Sequence, residues 1–165
     1  MSSSAESSDK SLLLSAFNTQ FFDFVEDIQY VFSDDTSIKK AKTALYMIKK
    51  VNPTLIIRIW YTYVCAQYEN EISNGNINFF LEKDYKKDFV YINHSDDIIN
   101  NIDKLREPVR NMSKENQEKS LMYVKNLCIL SKLVNSFIQP PNAMFLIIQN
   151  FINFARYFCK NNLQK

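Results

Sequence analysis

One histidine and three cysteines carry the greatest capacity for chemistry in this 165-residue chain. Together His94, Cys65, Cys128 and Cys159 could supply the four ligands of a structural zinc site. Such sites usually take their ligands in close pairs, because a short loop then folds around the metal. Neighbouring candidates here lie about 30 residues apart, so the spacing argues against zinc, and we predict no metal and no cofactor.

The sequence also offers no convincing set of catalytic residues. A cysteine nucleophile needs a base within hydrogen-bonding reach, and only His94 could serve any of the three cysteines. Each cysteine lies in an apolar run, where a small buried side chain in a reducing compartment is the usual occupant. The carboxylates between Glu69 and Asp88 alternate with lysines, which is typical of a salt-bridged surface. A glycine-rich phosphate loop cannot form with one glycine, so we expect no enzymatic activity.

Basic residues are densest in one stretch whose lysines spread over the side of a predicted helix opposite its apolar seam. This basic cluster consists of Lys39, Lys40, Lys42, Lys49 and Lys50. Such a face is usually solvated, but it could also bind nucleic acid or an acidic protein partner. The net charge of +2 is far from the basic excess that phosphate-backbone binders carry, so nucleic acid is possible without being favoured.

Two arginines flank Pro108, at a point where a helix should end or kink. The guanidinium groups of Arg106 and Arg110 could clamp a carboxylate or the backbone carbonyls of a partner. Arginines at helix ends also commonly satisfy local carbonyls. Both interpretations are open from the sequence, and we take the two residues as candidate partner-binding residues.

The elements that would position these side chains are predicted to be helices. Gly75 is the only glycine, so the backbone rarely needs the positive φ angles of tight hairpins. With 46% hydrophobic residues, the composition suits one buried core. We predict an all-α, single-domain bundle of about six to seven helices over residues 11–165, preceded by a disordered Ser-rich tail over residues 1–10.

Capping residues and prolines set the predicted helix boundaries. A first helix covers residues 11–32, with its apolar face built on Leu14, Phe17, Phe21, Phe24, Ile28 and Val31. The second carries Ile38, Ala41, Leu45 and Ile48 after a cap at Asp35 or Thr36, and the third begins after Asn52 and ends before Gly75. A short helix near residues 77–81 and helices starting at Ser95 and Ser113 complete this part of the chain.

The last predicted helix, residues 142–160 after Pro140 and Pro141, is the most apolar. Its wide apolar surface needs covering by the core, by a neighbouring subunit or partly by lipid. No stretch is long enough for a spanning helix, so membrane contact would be peripheral. The residues that we predict to contact a partner here are Phe145, Ile148, Phe151, Ile152 and Phe158.

Several segments, read together, resemble a family of small proteins encoded by large nucleocytoplasmic DNA viruses of algae and protists. The resemblance runs from about Phe17 to Leu133 and keeps the order of the segments. None of them is a catalytic or metal-binding motif, and the family has no established activity. They are Phe22–Ile28, Ala41–Leu45, Asn52-Pro53, Phe79–Tyr85, Ile102–Arg110 and Asn116–Ser120.

The resemblance implies a virion built in the host cytoplasm. Large icosahedral particles need small proteins beneath the major capsid lattice, and a helical protein without catalytic residues suits that task. We therefore expect a minor capsid protein that links capsomers and has the major capsid protein among its partners. The alternative is a regulatory or nucleic-acid-associated protein outside the virion that acts through the Lys39–Lys50 helix.

Overall fold

The computed structural model describes residues 3–88, 90 and 95–137, and within these ranges the chain is all-α, as predicted, without a β-strand. Three of the elements follow one another without a break from residue 55 to residue 74, the middle one being a π-helical turn. The elements are α1 (Ser3–Val31), α2 (Thr36–Val51), α3 (Leu55–Trp60), the π-helical turn (Tyr61–Cys65), α4 (Ala66–Asn74), α5 (Ile77–Glu82), α6 (Ser95–Arg110) and α7 (Lys114–Phe137).

The N-terminus differs from the prediction, because α1 begins at Ser3 and not at Ser11. The stretch expected to be a disordered tail is helical from residue 3 onward. Once a helix is nucleated, each added residue gains a hydrogen bond at little further cost, so a Ser-rich segment can extend it. The polar composition that indicated disorder is compatible with the exposed side chains of residues 7–9.

The connections on either side of α2 use the predicted residues in slightly different ways. Asp35 caps α2 as predicted, since its Oδ1 accepts the N–H of Ser37 at 2.7 Å. Asn52 instead makes a turn in which its Oδ1 accepts the N–H of Thr54 at 3.1 Å. The next helix consequently begins at Leu55, two residues later than the Pro53 start that was predicted.

Gly75 ends α4 with a φ of +67°, which confirms the prediction of a left-handed residue there. The N–H of Asn76 reaches back to the carbonyl of Glu71 at 3.0 Å, the closing bond of a Schellman motif. Asn76 then caps α5 by accepting the N–H of Phe79 at 3.2 Å. One glycine therefore turns the chain directly from one helix into the next.

Pro108 lies inside α6, and the helix ends two residues later, at Arg110. Proline has no backbone N–H, so the final turn of α6 has one helical hydrogen bond fewer. Because the helix ends soon afterwards, the proline disrupts little of it. Ser113 lies before α7 and its Oγ accepts the N–H of Asn116 at 3.3 Å, so the predicted start is confirmed. Ser95 begins α6 as predicted.

The chain divides into two compact units, residues 1–67 with 126–165 and residues 68–125. In the first unit α1, α2 and α3 pack against one another. Buried Asn18 donates from Nδ2 to the carbonyls of Leu14 at 2.9 Å and Pro53 at 3.1 Å, which ties α1 to the turn before α3. The core of this unit is Phe17, Phe21, Phe22, Ile48, Leu55, Ile56, Ile57, Leu127 and Val134.

Two predicted apolar faces are confirmed in part, since Phe17, Phe21 and Ile48 are buried as predicted. On α2 the buried residues are Ala44 and Ile48, whereas Ala41 is exposed. On α1, Phe22 is buried and Val31 is exposed. The differences lie at the edges and ends of the faces, because the choice between bordering positions depends on the packing partner.

In the second unit α5 packs against α6. Its buried residues include Tyr68, Ile72, Leu81, Tyr85 and Ile99. Tyr68 stands edge-on to Phe80 with ring centroids 5.8 Å apart, so aromatic contacts add to the aliphatic ones in this unit. No helix among the described residues has both the length and the apolar character needed to cross a membrane.

Candidate interaction surfaces

Arg106 on α6 clamps the end of the short helix α5. Its Nη1 donates to the carbonyls of Phe80, at 3.3 Å, and Leu81, and its Nη2 donates to the carbonyl of Lys83 at 2.6 Å. Its Nε donates to Asp103 Oδ1 at 2.7 Å. These carbonyls belong to the last turn of α5 and the residue after it, where a helix leaves acceptors without intrahelical partners.

This geometry favours the local role for Arg106 over the predicted partner-binding role. The planar guanidinium can bond several carbonyls at once, and here it uses that capacity on its own chain. Its side chain is only 18% exposed. Arg106 therefore stabilises the α5–α6 pair, which is the local role that the sequence left open as the alternative.

Arg110 remains at the surface. Its side chain is 47% exposed and pairs through Nη1 with Glu107 one turn earlier. The end of α6 is capped instead by Gln117, whose Nε2 donates to the carbonyls of Val109 at 2.9 Å and Arg110 at 3.3 Å. Of the two predicted arginines, only Arg110 keeps its guanidinium group at the surface.

Sequence inspection missed a cluster centred on the ammonium group of Lys83. The Nζ atom lies 5.4 Å from the ring centre of Tyr68, 5.6 Å from that of Phe79 and 5.8 Å from that of Tyr85. It also pairs with Asp88 Oδ2 at 3.1 Å, and the Tyr68 hydroxyl donates to the same oxygen. The alternation of lysines and acids that we read as a solvated surface thus holds a half-buried ion pair lined by aromatic rings.

Burial governs the acid–base behaviour of the tyrosines around Lys83. Removal from water raises the pKa of Tyr85 to about 12. Burial, and then the hydrogen bond to Asp88, raise the pKa of Tyr68 further above its usual value. Both phenols stay protonated at neutral pH, so neither is a base or a nucleophile there.

An open depression of about 370 Å³ lies beside this cluster. Lys83, Lys86 and Arg106 are balanced along it by Glu82, Asp84 and Asp103. The Arg106 donors already bind carbonyls, as described above. The depression therefore offers neither a strong net charge nor a set of converging free donors.

The basic cluster on α2 separates into two groups. Lys42 is half-buried and pairs with Glu26 at 3.3 Å, and the Nζ of half-buried Lys49 lies 4.9 Å from the ring centre of Phe22. Lys39, Lys40 and Lys50 are exposed. Of the five predicted nucleic-acid-binding lysines, three can reach a partner without breaking an internal contact that the structure shows.

Acidic groups of α1 lie next to this basic helix. Tyr46 donates to Glu26 Oε1 at 2.8 Å, and this bond, followed by Lys42, lowers the pKa of Glu26. The same bond raises the pKa of Tyr46. The charged carboxylate of Glu26 therefore borders the positive surface of α2. It reduces the area on which a phosphate backbone could bind.

Apolar side chains share the exposed side of α2 with the lysines. Met47 and Val51 are 39% and 76% exposed and lie one turn apart. Lys40 lies on the same stripe, because seven residues return to the same side of a helix. This Lys40–Met47–Val51 stripe is a mixed apolar and basic surface that the charge count alone did not reveal.

The two cysteines that the structure describes lie in surroundings that keep their thiols buried. Cys65 and Cys128 are buried and free, and the Cys65 thiol donates to the carbonyl of Cys128 at 3.6 Å. Burial, and then the neighbouring Cys65, raise the pKa of Cys128 to about 12. Among the described residues no group of three or more histidine, cysteine or acidic side chains could hold a metal ion.

The remaining predicted site residues lie outside the described residues. They are His94, Cys159, Phe145, Ile148, Phe151, Ile152 and Phe158.

Comparison of the chain with known protein families, with curated proteins and with solved structures found no match.

Proposed function

We propose that this protein is a virion structural protein, and more specifically a minor capsid protein that supports the major capsid lattice through protein–protein contacts. The observation that carries the proposal is the Lys40–Met47–Val51 stripe on α2. Exposed apolar side chains grouped on a helix are typical of interaction surfaces, and methionine is enriched in their cores. The segment resemblance to large-virus proteins supplies the virion setting.

The flanking charges favour a particular kind of partner. Lys39, Lys40 and Lys50 surround the apolar pair, so an acidic protein surface with an apolar centre would fit this side of α2. The exposed Arg110 offers a second basic contact in the other unit. The five apolar residues predicted in the 142–160 helix stay candidate contacts.

Quantitative mass spectrometry of purified virus particles tests the virion role directly. Membrane and genome are removed stepwise, and the copy number of this protein is scored against the major capsid protein. Retention in the stripped shell at high copy number is the expected result. Absence from particles, or loss together with the genome, would contradict a capsid role.

The alternative, a nucleic-acid-associated protein, is favoured by the three exposed lysines of α2. Two variants of the same helix separate the functions. Reversing the charges (Lys39→Glu, Lys40→Glu, Lys50→Glu) should abolish salt-dependent DNA or RNA binding, because each phosphate contact releases counterions. Replacing the apolar pair with an uncharged polar residue (Met47→Ser, Val51→Ser) should weaken protein assembly and leave the salt dependence of any nucleic-acid binding largely unchanged.

A further inference from the structure

An aromatic cage surrounds the ammonium group of Lys83 in the second unit. Its walls are the rings of Tyr68, Phe79 and Tyr85, whose centres lie 5.4, 5.6 and 5.8 Å from the Lys83 Nζ atom. Asp88 completes the cage with a carboxylate oxygen 3.1 Å from the same atom. Aromatic rings around a cation are the arrangement by which proteins bind ammonium groups that carry methyl substituents.

The cage is held in shape by contacts that do not involve Lys83. The Tyr68 hydroxyl donates to Asp88, and the Tyr85 hydroxyl donates to the carbonyl of Phe80 at 3.1 Å. The two tyrosine rings stand nearly perpendicular to each other with centroids 6.2 Å apart, and both residues are buried. A site whose walls are fixed before a ligand arrives loses little conformational entropy on binding.

The distances in the cage suit a methylated ammonium group. A methyl carbon lies about 1.5 Å from its nitrogen and contacts a ring carbon at about 3.5–4 Å. The nitrogen of such a group therefore lies about 5–5.5 Å from a ring that it touches, close to the observed 5.4–5.8 Å. The ammonium group of Lys83 has no methyl substituent to fill this space.

The cage borders on the open depression described above. Lys83 and Tyr85 line both, and the Lys83 side chain is 21% exposed. The Arg106 guanidinium also lies 5.5 Å from the ring centre of Tyr85, so Tyr68 and Phe79 are the walls left to a ligand cation. A quaternary ammonium group neither donates nor accepts hydrogen bonds, so it does not need the converging free donors that the depression lacks.

We propose that the aromatic cage binds small organic cations with a quaternary ammonium group, and that Lys83 occupies the cage when no such ligand is present. Lys83 lies directly after α5, so its ammonium group is tethered beside the cage and competes with a free ligand. The ligand keeps the countercharge of Asp88 and adds methyl contacts with the rings, while the displaced lysine regains its hydration. The capsid role proposed above is not needed for this binding.

Nuclear magnetic resonance titration of the full wild-type chain with choline chloride, at constant ionic strength, tests the site. Choline should shift the ring signals of Tyr68 and Phe79 in a saturable way. The control ligand is 3,3-dimethyl-1-butanol, which has the same shape without the charge and should bind at least about tenfold more weakly. Choline that binds no more tightly than the neutral alcohol would overturn the proposal.

The role of Lys83 as an internal competitor is tested by the same titration on two variants. Lys83→Ala should bind choline at least about tenfold more tightly than the wild type, because the tethered occupant is gone. The matched control is Lys86→Ala, which removes an exposed lysine from the same depression and should bind choline as the wild type does. Lys83→Ala that binds no more tightly than the wild type, or an equal gain in Lys86→Ala, would overturn the proposal.

Discussion

At the scale of single residues, the most consequential side chain is Arg106. Three backbone carbonyls at the end of α5 and one carboxylate take its donors, and the side chain is mostly buried. A lysine at this position could not make the same fork of bonds, because its ammonium is a single point on a flexible stem. The residue that we first expected to bind a partner is thus a structural cap.

Arg106→Ala should lower the free energy of unfolding by about 2–3 kcal/mol, because the partly buried carbonyls of Leu81 and Lys83 lose the guanidinium donor, whereas that of Phe80 keeps the Tyr85 hydroxyl. Urea denaturation followed by circular dichroism measures the change. The matched control is Arg110→Ala, which removes an exposed ion pair and should cost less than about 0.5 kcal/mol. Equal losses in the two variants would contradict the capping role.

Ionisation of the Tyr85 phenol should destabilise the folded state at alkaline pH. Its pKa is raised to about 12 in the folded state and is about 10 when unfolded, so between these values the unfolded chain binds fewer protons. The stabilisation of the folded state that protonated Tyr85 provides is complete below about pH 10 and is lost as the pH rises through about 12. Between pH 9 and pH 11.5 the urea midpoint of unfolding should fall less in Tyr85→Phe than in the wild type. Equal falls in the two proteins would contradict this role for Tyr85.

At the scale of elements, the helix ends are set by short-range bonds that involve few residues. Asp35, Asn76 and Ser113 each accept a first-turn N–H, and Gly75 provides the one left-handed turn. A cap lies within a few residues of the donor that it satisfies, so it can be read from the sequence. Asn52 shows the limit of this reasoning, because the same side chain can make a turn three residues before the helix begins.

Gly75→Ala should destabilise the protein by about 1 kcal/mol, through backbone conformation and without a steric clash. An added Cβ would lie 3.6 Å from Lys125 Nζ and 4.0 Å from Leu121 Cδ1, which are ordinary contacts, whereas φ is +67°. Gly75→Asn should cost less, since asparagine tolerates the left-handed region. Thermal unfolding of both variants measures the loss of stability. Equal losses in the two variants would indicate that side-chain packing, and not backbone conformation, is the cause.

At the scale of the whole molecule, the first unit gathers its core from distant parts of the chain. Phe17 of α1, Ile57 of α3 and Leu127 and Val134 of α7 are almost completely buried in one cluster. Two free cysteines, Cys65 and Cys128, lie close together in the same unit although 63 residues separate them. These contacts all precede the predicted last helix.

A chain truncated after Gln139 should therefore keep its helical circular dichroism and unfold cooperatively, because the buried cluster of the first unit stays intact. Removal of residues 140–165 should weaken assembly with partners, since it deletes the most apolar predicted helix. The full chain measured in parallel is the control. Normal assembly of the truncated chain would exclude the last helix as the main contact.

The sequence by itself determined the helical class, most helix ends and the left-handed glycine, because each follows from local periodicity or from a bond between near neighbours. Only the tertiary structure decided which positions at the edge of each apolar face are buried, as Ala44 in place of Ala41 shows, because that choice depends on elements distant in sequence. The same holds for function. Arg106 and Lys83 differ little from other surface cations in sequence, and their surroundings turn one into a helix cap and the other into the centre of an aromatic cluster.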